Sequence, residues 1–411
     1  MITPSLIFKI IIVILILNYC IDRLLDYLNA TRRSSELPEE LEGIYNAEKY
    51  RKSQEYDAAT SRFSFITSTY GLALMLGMLF FSGFAYVDQI AVGISENPIL
   101  RALIFFGVLM LASDILSTPF SIYRTFVIEE KFGFNKTTPK TFILDKIKGW
   151  LLSAIVGGGL LSLIIWFYML TTTQFWIYAW MLISGFSIFM VMFYSSLIVP
   201  LFNKQTPLEA GDLRNAIEAF SNKVGFALNN IFVIDGSKRS TKANAYFSGL
   251  GSKKRIVLFD TLIADLNIKE LVAVLAHEIG HYKKKHTRVS IIFSIIQMGL
   301  MLFVLSFFIS KPELSQALGV SEASFHIGII TFGMLYDPFS TILAIGMNVL
   351  SRKNEYQADS FAKEQFNGED LGNALKKLSV KNLSNLTPHP AYVFMSYSHP
   401  PLLSRLAALN K

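Results

Sequence analysis

Long stretches without a charged residue alternate along the chain with short stretches dense in Lys and Arg. Residues 149–203 contain no Asp, Glu, Lys, Arg or His, and residues 63–87 are likewise uncharged. About 20 helical residues cross a hydrocarbon core, so apolar runs of about 18 or more predict membrane spans. Seven are predicted, near residues 4–28, 63–87, 99–123, 149–170, 175–201, 289–310 and 326–350. The first is interrupted by Lys9. It has no small-residue cleavage site and stays apolar past Tyr19, so a retained anchor is expected rather than a removed leader.

The connecting stretches set an orientation. Residues 31–62 and 124–148 hold six Lys/Arg each, and the stretches after the fifth and seventh spans are also basic. Residues 88–98 and 171–174 hold none, and 311–325 only Lys311. Alternate basic loops are the positive-inside pattern, with the N-terminus outside and the C-terminus inside. This accounts for the net charge of +7 without a nucleic-acid partner. Across the 411 residues, 52% are hydrophobic and 17% charged, against about 25% charged in soluble domains. A soluble enzyme and a disordered chain are excluded. Cys20 is the single cysteine, so no internal disulfide forms.

Two polar segments lie on the inner side, residues 204–288 and the tail from 351. In the first, Asp212 is expected to cap a short amphipathic helix with Leu213, Ile217, Phe220 and Val224 on one face. Residues 231–235 (IFVID), 243–249 (ANAYFSG) and 254–262 (KRIVLFDTL) read as strands. Gly249, Gly251 and Ser252 separate the last two, which predicts a hairpin with a short loop. A helix is expected from Lys269, and residues 31–62 are expected to form a solvated helix or linker. The organisation expected is therefore mainly α and polytopic, in four parts. These are residues 1–203 (five spans), 204–288, 289–350 (two spans) and 351–411.

The most specific chemical signal is HEIGH, residues 277–281, directly after the apolar run 271–276. Residues four apart share a helix face, so His277 and His281 can both offer an imidazole nitrogen to one zinc ion. Glu278 is offset by one residue, within reach of a water at the metal without being a ligand. A catalytic zinc keeps three protein ligands and one open position. For the third, Glu355 and Asp359 lie one helical turn apart after the last span. A Glu there could bind the metal while Asp359 orients a ligand imidazole, or both could be ordinary acids on a solvated helix. His286, five residues past His281, is expected to point away from the pair into solvent. Asp114 and Asp337 sit within apolar spans, where a carboxylate faces a cavity or pairs with a cation near a helix end.

HEIGH followed by EYQAD (355–359) after two further spans resembles the type I CAAX prenyl proteases, integral-membrane zinc metallopeptidases. The resemblance extends to residues 238–262 and to SHPPLLSRL (398–406), so it covers most of 204–411 in order. It implies a ring of seven helices around a large chamber, closed on the cytoplasmic side by the zinc domain. It also implies one Zn2+ held by His277, His281 and Glu355, with Glu278 as general base and Asp359 behind a ligand. Asn244 falls on the strand that pairs with an extended substrate, and His399 and Arg405 on residues that stabilise the oxyanion. The implied substrate is a peptide or protein whose C-terminal C-a-a-X cysteine is prenylated.

The chain is short for a eukaryotic member and ends without an endoplasmic-reticulum retrieval signal, so a bacterial source and cytoplasmic membrane are expected. There the role could be broader proteolytic quality control of membrane proteins. A different class, a channel or transporter with a structural zinc, predicts a fourth Cys or His ligand. A catalytically dead scaffold predicts loss of Glu278 or Glu355, and both are present.

Overall fold

The computed structural model describes residues 3–34, 36–37, 39–226, 231–249 and 254–411. In chain order, α1 spans Pro4–Ala30, α2 Ala47–Phe80, α3 Gly83–Ile94 and α4 Pro98–Tyr123. Next come α5 (Pro139–Leu152), α6 (Gly158–Thr171), α7 (Phe175–Leu197) and α8 (Val199–Phe202). The polar segment folds as β1 (Gln205–Pro207), α9 (Asp212–Lys223), β2 (Ile231–Ile234), β3 (Ala245–Ser248) and β4 (Arg255–Phe259). It continues through α10 (Asp260–Asp265) and α11 (Ile268–Lys283). After α12 (His286–Phe308), α13 (Pro312–Ala317) and α14 (Phe325–Gln365), the chain ends in α15 (Gly368–Lys381), α16 (Pro390–Ser396) and α17 (Leu402–Leu409).

Each apolar run predicted to span lies mostly on helix, the second being broken at residues 81–82. Among the described residues, six helical stretches are long and apolar enough to cross a membrane: Pro4–Ala30, Ala47–Phe80, Pro98–Glu129, Pro139–Phe202, His286–Phe308 and Phe325–Gln365. The 64 residues of Pro139–Phe202 are not one rod. Thr172 takes φ 45° between α6 and α7, and the two helices then pack together, with the Tyr168 and Phe175 rings 5.4 Å apart and Phe167 5.6 Å from Tyr178. The second run is shorter than predicted. Helix α2 stops at Phe80 because Ser82 adopts φ 54°, and a Cβ on Gly83 would meet the Met78 sulfur at 2.5 Å. Residues 83–94, expected to straddle a span and an outer loop, instead form α3. Its buried Asp88 lies 2.6 Å from the buried His326 of α14. Asp114 takes the pairing alternative, with Lys146 Nζ 2.8 Å from both of its oxygens and Trp150 Nε1 at 3.1 Å. Asp337 accepts a hydrogen bond from Asn18.

The polar segment builds a four-stranded mixed sheet, ordered β1-β2-β4-β3. Strand β4 pairs parallel with β2 and antiparallel with β3, in the register Ala245↔Leu258. The expected hairpin is therefore present, although its short loop with Gly251 and Ser252 lies outside the described residues. Ile256, Val257 and Leu258 of the inner strand are at most 1% exposed. Ile256 and Leu258 share a core with Ile217 and Phe220 of α9 and Leu271, Val272 and Leu275 of α11. Asp212 does not cap α9. Gly211 holds the cap position and Asp212 is the first helical residue.

The charge-rich segment 31–62 is not simply solvated. Leu41, Tyr45 and Tyr50 are buried against Leu386 and Leu402, and the Tyr45 hydroxyl donates to the Ser379 carbonyl at 2.9 Å. Helix α14 runs unbroken through 41 residues, about 60 Å at 1.5 Å per residue. Glu355 falls about 45 Å along it, past a hydrocarbon core of about 30 Å. One element thus carries a chemical group from the apolar layer to the polar segment.

Candidate metal centre

Helix α11 starts at a capping box. Asn267 Oδ1 accepts from the Glu270 amide at 3.0 Å, and Glu270 Oε2 accepts from the Asn267 amide at 2.9 Å. From that start, its spacing turns Leu271, Val272, Leu275 and Ile279 into the core, while His277 and His281 face α14. The approach is close because Gly280 has no side chain. A Cβ there would stand 3.1 Å from Ala358 Cα and 3.2 Å from its oxygen.

Three ligand-type side chains meet where the helices touch. His277 Nε2 and His281 Nε2 are 3.1 Å apart. His281 Nε2 is 3.2 Å from Glu355 Oε1, and His277 Nε2 is 3.5 Å from Glu355 Oε2. Ligands at 2.0–2.1 Å in a tetrahedron stand about 3.3 Å from one another. The observed spacings match that figure. Glu355 is buried, and its Oε2 has no hydrogen-bond partner although His399 Nδ1 lies at 3.0 Å and Arg405 Nη1 at 3.4 Å. A buried carboxylate oxygen without a donor is costly unless a cation is its partner. His277, His281 and Glu355 are thus a group that could hold a metal ion. Of the two candidate third ligands, Glu355 joins the histidines and Asp359 stands behind them.

Asp359 Oδ1 lies 2.8 Å from His277 Nδ1. That bond places the imidazole proton on Nδ1 and leaves the Nε2 lone pair directed at the group. Arg405 secures Asp359 in turn, Nε donating to Oδ2 at 2.8 Å and Nη2 to Oδ1 at 2.6 Å. Arg405 is 9% exposed, so its fork is largely committed to Asp359, with Nη1 left toward Glu355. His399 is exposed and reaches the site only through its 3.0 Å approach to Glu355. Burial pushes the Glu278 carboxyl above its ordinary pKa, and the neighbouring histidines only partly offset this. Asn244 is exposed just before β3, its carbonyl accepting from the Phe259 amide at 3.1 Å. Strand β3 is an edge of the sheet, and its Phe247 ring lies 5.6 Å from Tyr282, the residue after His281.

His286 departs from expectation. It is 7% exposed and turned toward the site, with Nδ1 3.1 Å from His281 Nδ1 and Nε2 2.9 Å from Gln357 Oε1. On one continuous helix, five residues put side chains on different faces. Here α11 ends and Lys285 takes φ 63°, so the chain folds back and delivers His286 beside His281. Gln357 stood inside EYQAD without an assigned role.

The chain matches two family profiles in succession. Residues 26–204 match "CAAX prenyl protease N-terminal, five membrane helices", and residues 207–411 match "Peptidase family M48". The CAAX prenyl protease 1 homologue of Arabidopsis thaliana is 38% identical over 96% of both chains. CAAX prenyl protease 1 of Saccharomyces cerevisiae is 37% identical over 92% of this chain and 89% of that one. The human homologue is 34% identical over 92% and 90%. The crystal structure of S. mikatae Ste24p superposes with a TM-score of 0.92 at 36% identity, covering 98% of each chain. Since the plant relative is matched over nearly its whole length, length does not separate a bacterial from a eukaryotic source.

Proposed function

Because the chain belongs to peptidase family M48, carrying the membrane domain of the CAAX prenyl proteases, we propose that it is a zinc endopeptidase for prenylated C-a-a-X peptides, releasing their last three residues. That it is an integral-membrane metallopeptidase follows from the family and from its apolar helices. The observation that carries the finer reading is the convergence of His277, His281 and Glu355 at the spacing of one tetrahedral ion.

His277, His281 and Glu355 hold the metal, and Asp359 with Arg405 locks the His277 ring. A zinc ion in that position supplies Lewis acidity toward the scissile carbonyl and a water acidic enough to react at neutral pH. Glu278 accepts the proton of the attacking water and returns it to the leaving amine. His399 and Arg405 Nη1 are the donors on the Glu355 side for negative charge developing on the carbonyl oxygen. The substrate backbone extends the sheet at β3 near Asn244, since an edge strand offers unpaired amides and carbonyls. We read the two packed helices of Pro139–Phe202 as separate crossings, which makes seven. The basic loops then place the N-terminus outside and the metal site on the cytoplasmic face, and the apolar helices accommodate the lipid of the substrate.

The test is cleavage of a farnesylated C-a-a-X peptide and its unprenylated counterpart by detergent-purified protein, with and without a zinc chelator. Tripeptide release that needs zinc and prefers the lipidated peptide supports the reading. Zinc-dependent cutting without that preference overturns the substrate assignment in favour of general membrane proteolysis. Chelator-resistant cutting overturns the zinc assignment.

A further inference from the structure

Two of the three metal-holding side chains are imidazoles, and each must keep its Nε2 unprotonated to bind. The partner of His277 is the Asp359 carboxylate. The partner of His281 is another histidine. We infer that His286 is a positioning residue for the metal site, holding His281 in the tautomer that frees Nε2, with Gln357 fixing His286 in turn. The inference rests on the zinc reading above.

The argument is one of proton counting along four atoms. Gln357 Oε1 can only accept, so at 2.9 Å it requires a proton on His286 Nε2. A neutral imidazole protonated at Nε2 has a lone pair at Nδ1. That lone pair faces His281 Nδ1 at 3.1 Å, and two lone pairs cannot face each other at this separation without a cation between them, as the two Nε2 atoms would have. His281 must therefore carry its proton on Nδ1, which leaves Nε2 free, 3.1 Å from His277 Nε2 and 3.2 Å from Glu355 Oε1. Reversing the Gln357 amide would reverse every bond. His286 would then donate from Nδ1, His281 would be protonated at Nε2, and no metal could bind there. Only the first arrangement is compatible with a ligand at His281. The burial of His286 matters, because water cannot easily replace its Nδ1. Gln357 is exposed, so water can partly replace its oxygen, and its share is the smaller one. Lys285, in its left-handed conformation, makes the arrangement possible by returning the chain within one residue of the helix break.

Losing a hydrogen-bond partner behind a metal ligand typically lowers metal affinity about 10- to 100-fold. The experiment compares zinc affinity by chelator competition in full-length wild type, His286→Phe and His286→Asn. Phe keeps the ring and fills the space but accepts nothing, whereas Asn changes the shape but keeps an acceptor oxygen at the position of Nδ1. The expected result is zinc binding about 10- to 100-fold weaker in His286→Phe and within about threefold of wild type in His286→Asn. A packing role predicts the opposite order, and that order, or equal affinities in all three, would overturn the inference. Should His286→Phe fail to fold, the wild-type chain gives a second reading. Histidine-selective 15N NMR of the zinc-loaded protein should show Nδ1 of His281 and Nε2 of His286 protonated. A protonated His286 Nδ1 overturns the inference. If wild type itself binds no zinc, the functional reading fails first, and that outcome is distinguishable from any variant-specific loss.

Discussion

Gly280→Ala tests how the backbone sets the metal site. The new methyl would lie 3.1 Å from Ala358 Cα, 3.2 Å from the Ala358 oxygen and 3.2 Å from Phe361 Cβ. All three are backbone or backbone-adjacent atoms on α14, so no flexible side chain can swing aside. The helices must separate by about a few tenths of an ångström, whereas metal–ligand distances tolerate about 0.2 Å. Gly280 adjoins the ligand His281, and Ala358 lies three residues after the ligand Glu355 on α14, so the displacement falls directly on the ligand set. Overpacking of this kind costs about 1–3 kcal/mol. Alanine gains about 1 kcal/mol of helix propensity, but that gain is the same with and without metal and does not restore affinity. If the strain is expressed when the ligands close on the ion, zinc binding weakens about 5- to 150-fold. The assay is chelator competition on purified protein. Gly333→Ala is the control, since its Cβ would enter open space on the same α14 and should leave affinity unchanged. Binding within about twofold of wild type in Gly280→Ala would refute the idea that this approach sets the ligand spacing.

Three further outcomes are expected. With the Glu278 pKa raised by burial, the zinc-free fold prefers the protonated acid. Stability then falls as pH rises from the unfolded-state carboxyl value through the raised folded value, and stays lower above it. Glu278→Gln should therefore raise the melting temperature of zinc-free protein at pH 7 and flatten that acid-side slope; a lower melting temperature there would contradict the sign. Arg405→Ala strips two of the three donors, and the charged partner, from the buried Asp359 carboxylate and should cost about 3–5 kcal/mol of stability. Arg405→Lys should recover only part of it, and denaturant unfolding that finds either variant unaffected would show that the fork is not what holds Asp359. Asn267→Ala removes one side of the capping box at the start of α11 and should cost about 0.5–2 kcal/mol. Because the metal ligands lie ten or more residues on, zinc affinity should change less than stability.

The parts of this protein that reveal themselves in sequence are those governed by local period and composition. Uncharged runs locate helices because hydrocarbon admits little else. The four-residue interval between His277 and His281 places them on one face wherever that helix packs. The hairpin of β3 and β4 follows from two apolar strands and the glycines between them. What stayed hidden depends on single backbone angles or on distant partners. The φ of 63° at Lys285 turns His286 inward, and no periodicity encodes it. Ser82 ends α2 in the same way and turns the expected end of a span and start of an outer loop into α3 with its Asp88–His326 contact. Segment 31–62 looks solvated by its charges, yet Leu41 and Tyr50 find a core 330 or more residues later at Leu386 and Leu402. Gln357 becomes informative only once His286 is known to face it.

The most direct measurement is turnover and zinc content together, in wild type and Glu278→Gln, using the farnesylated peptide. The account predicts one zinc per chain in both proteins and tripeptide release in wild type alone. Release by Glu278→Gln at the wild-type rate would contradict the role given to Glu278, and absence of zinc from wild type would contradict the site itself.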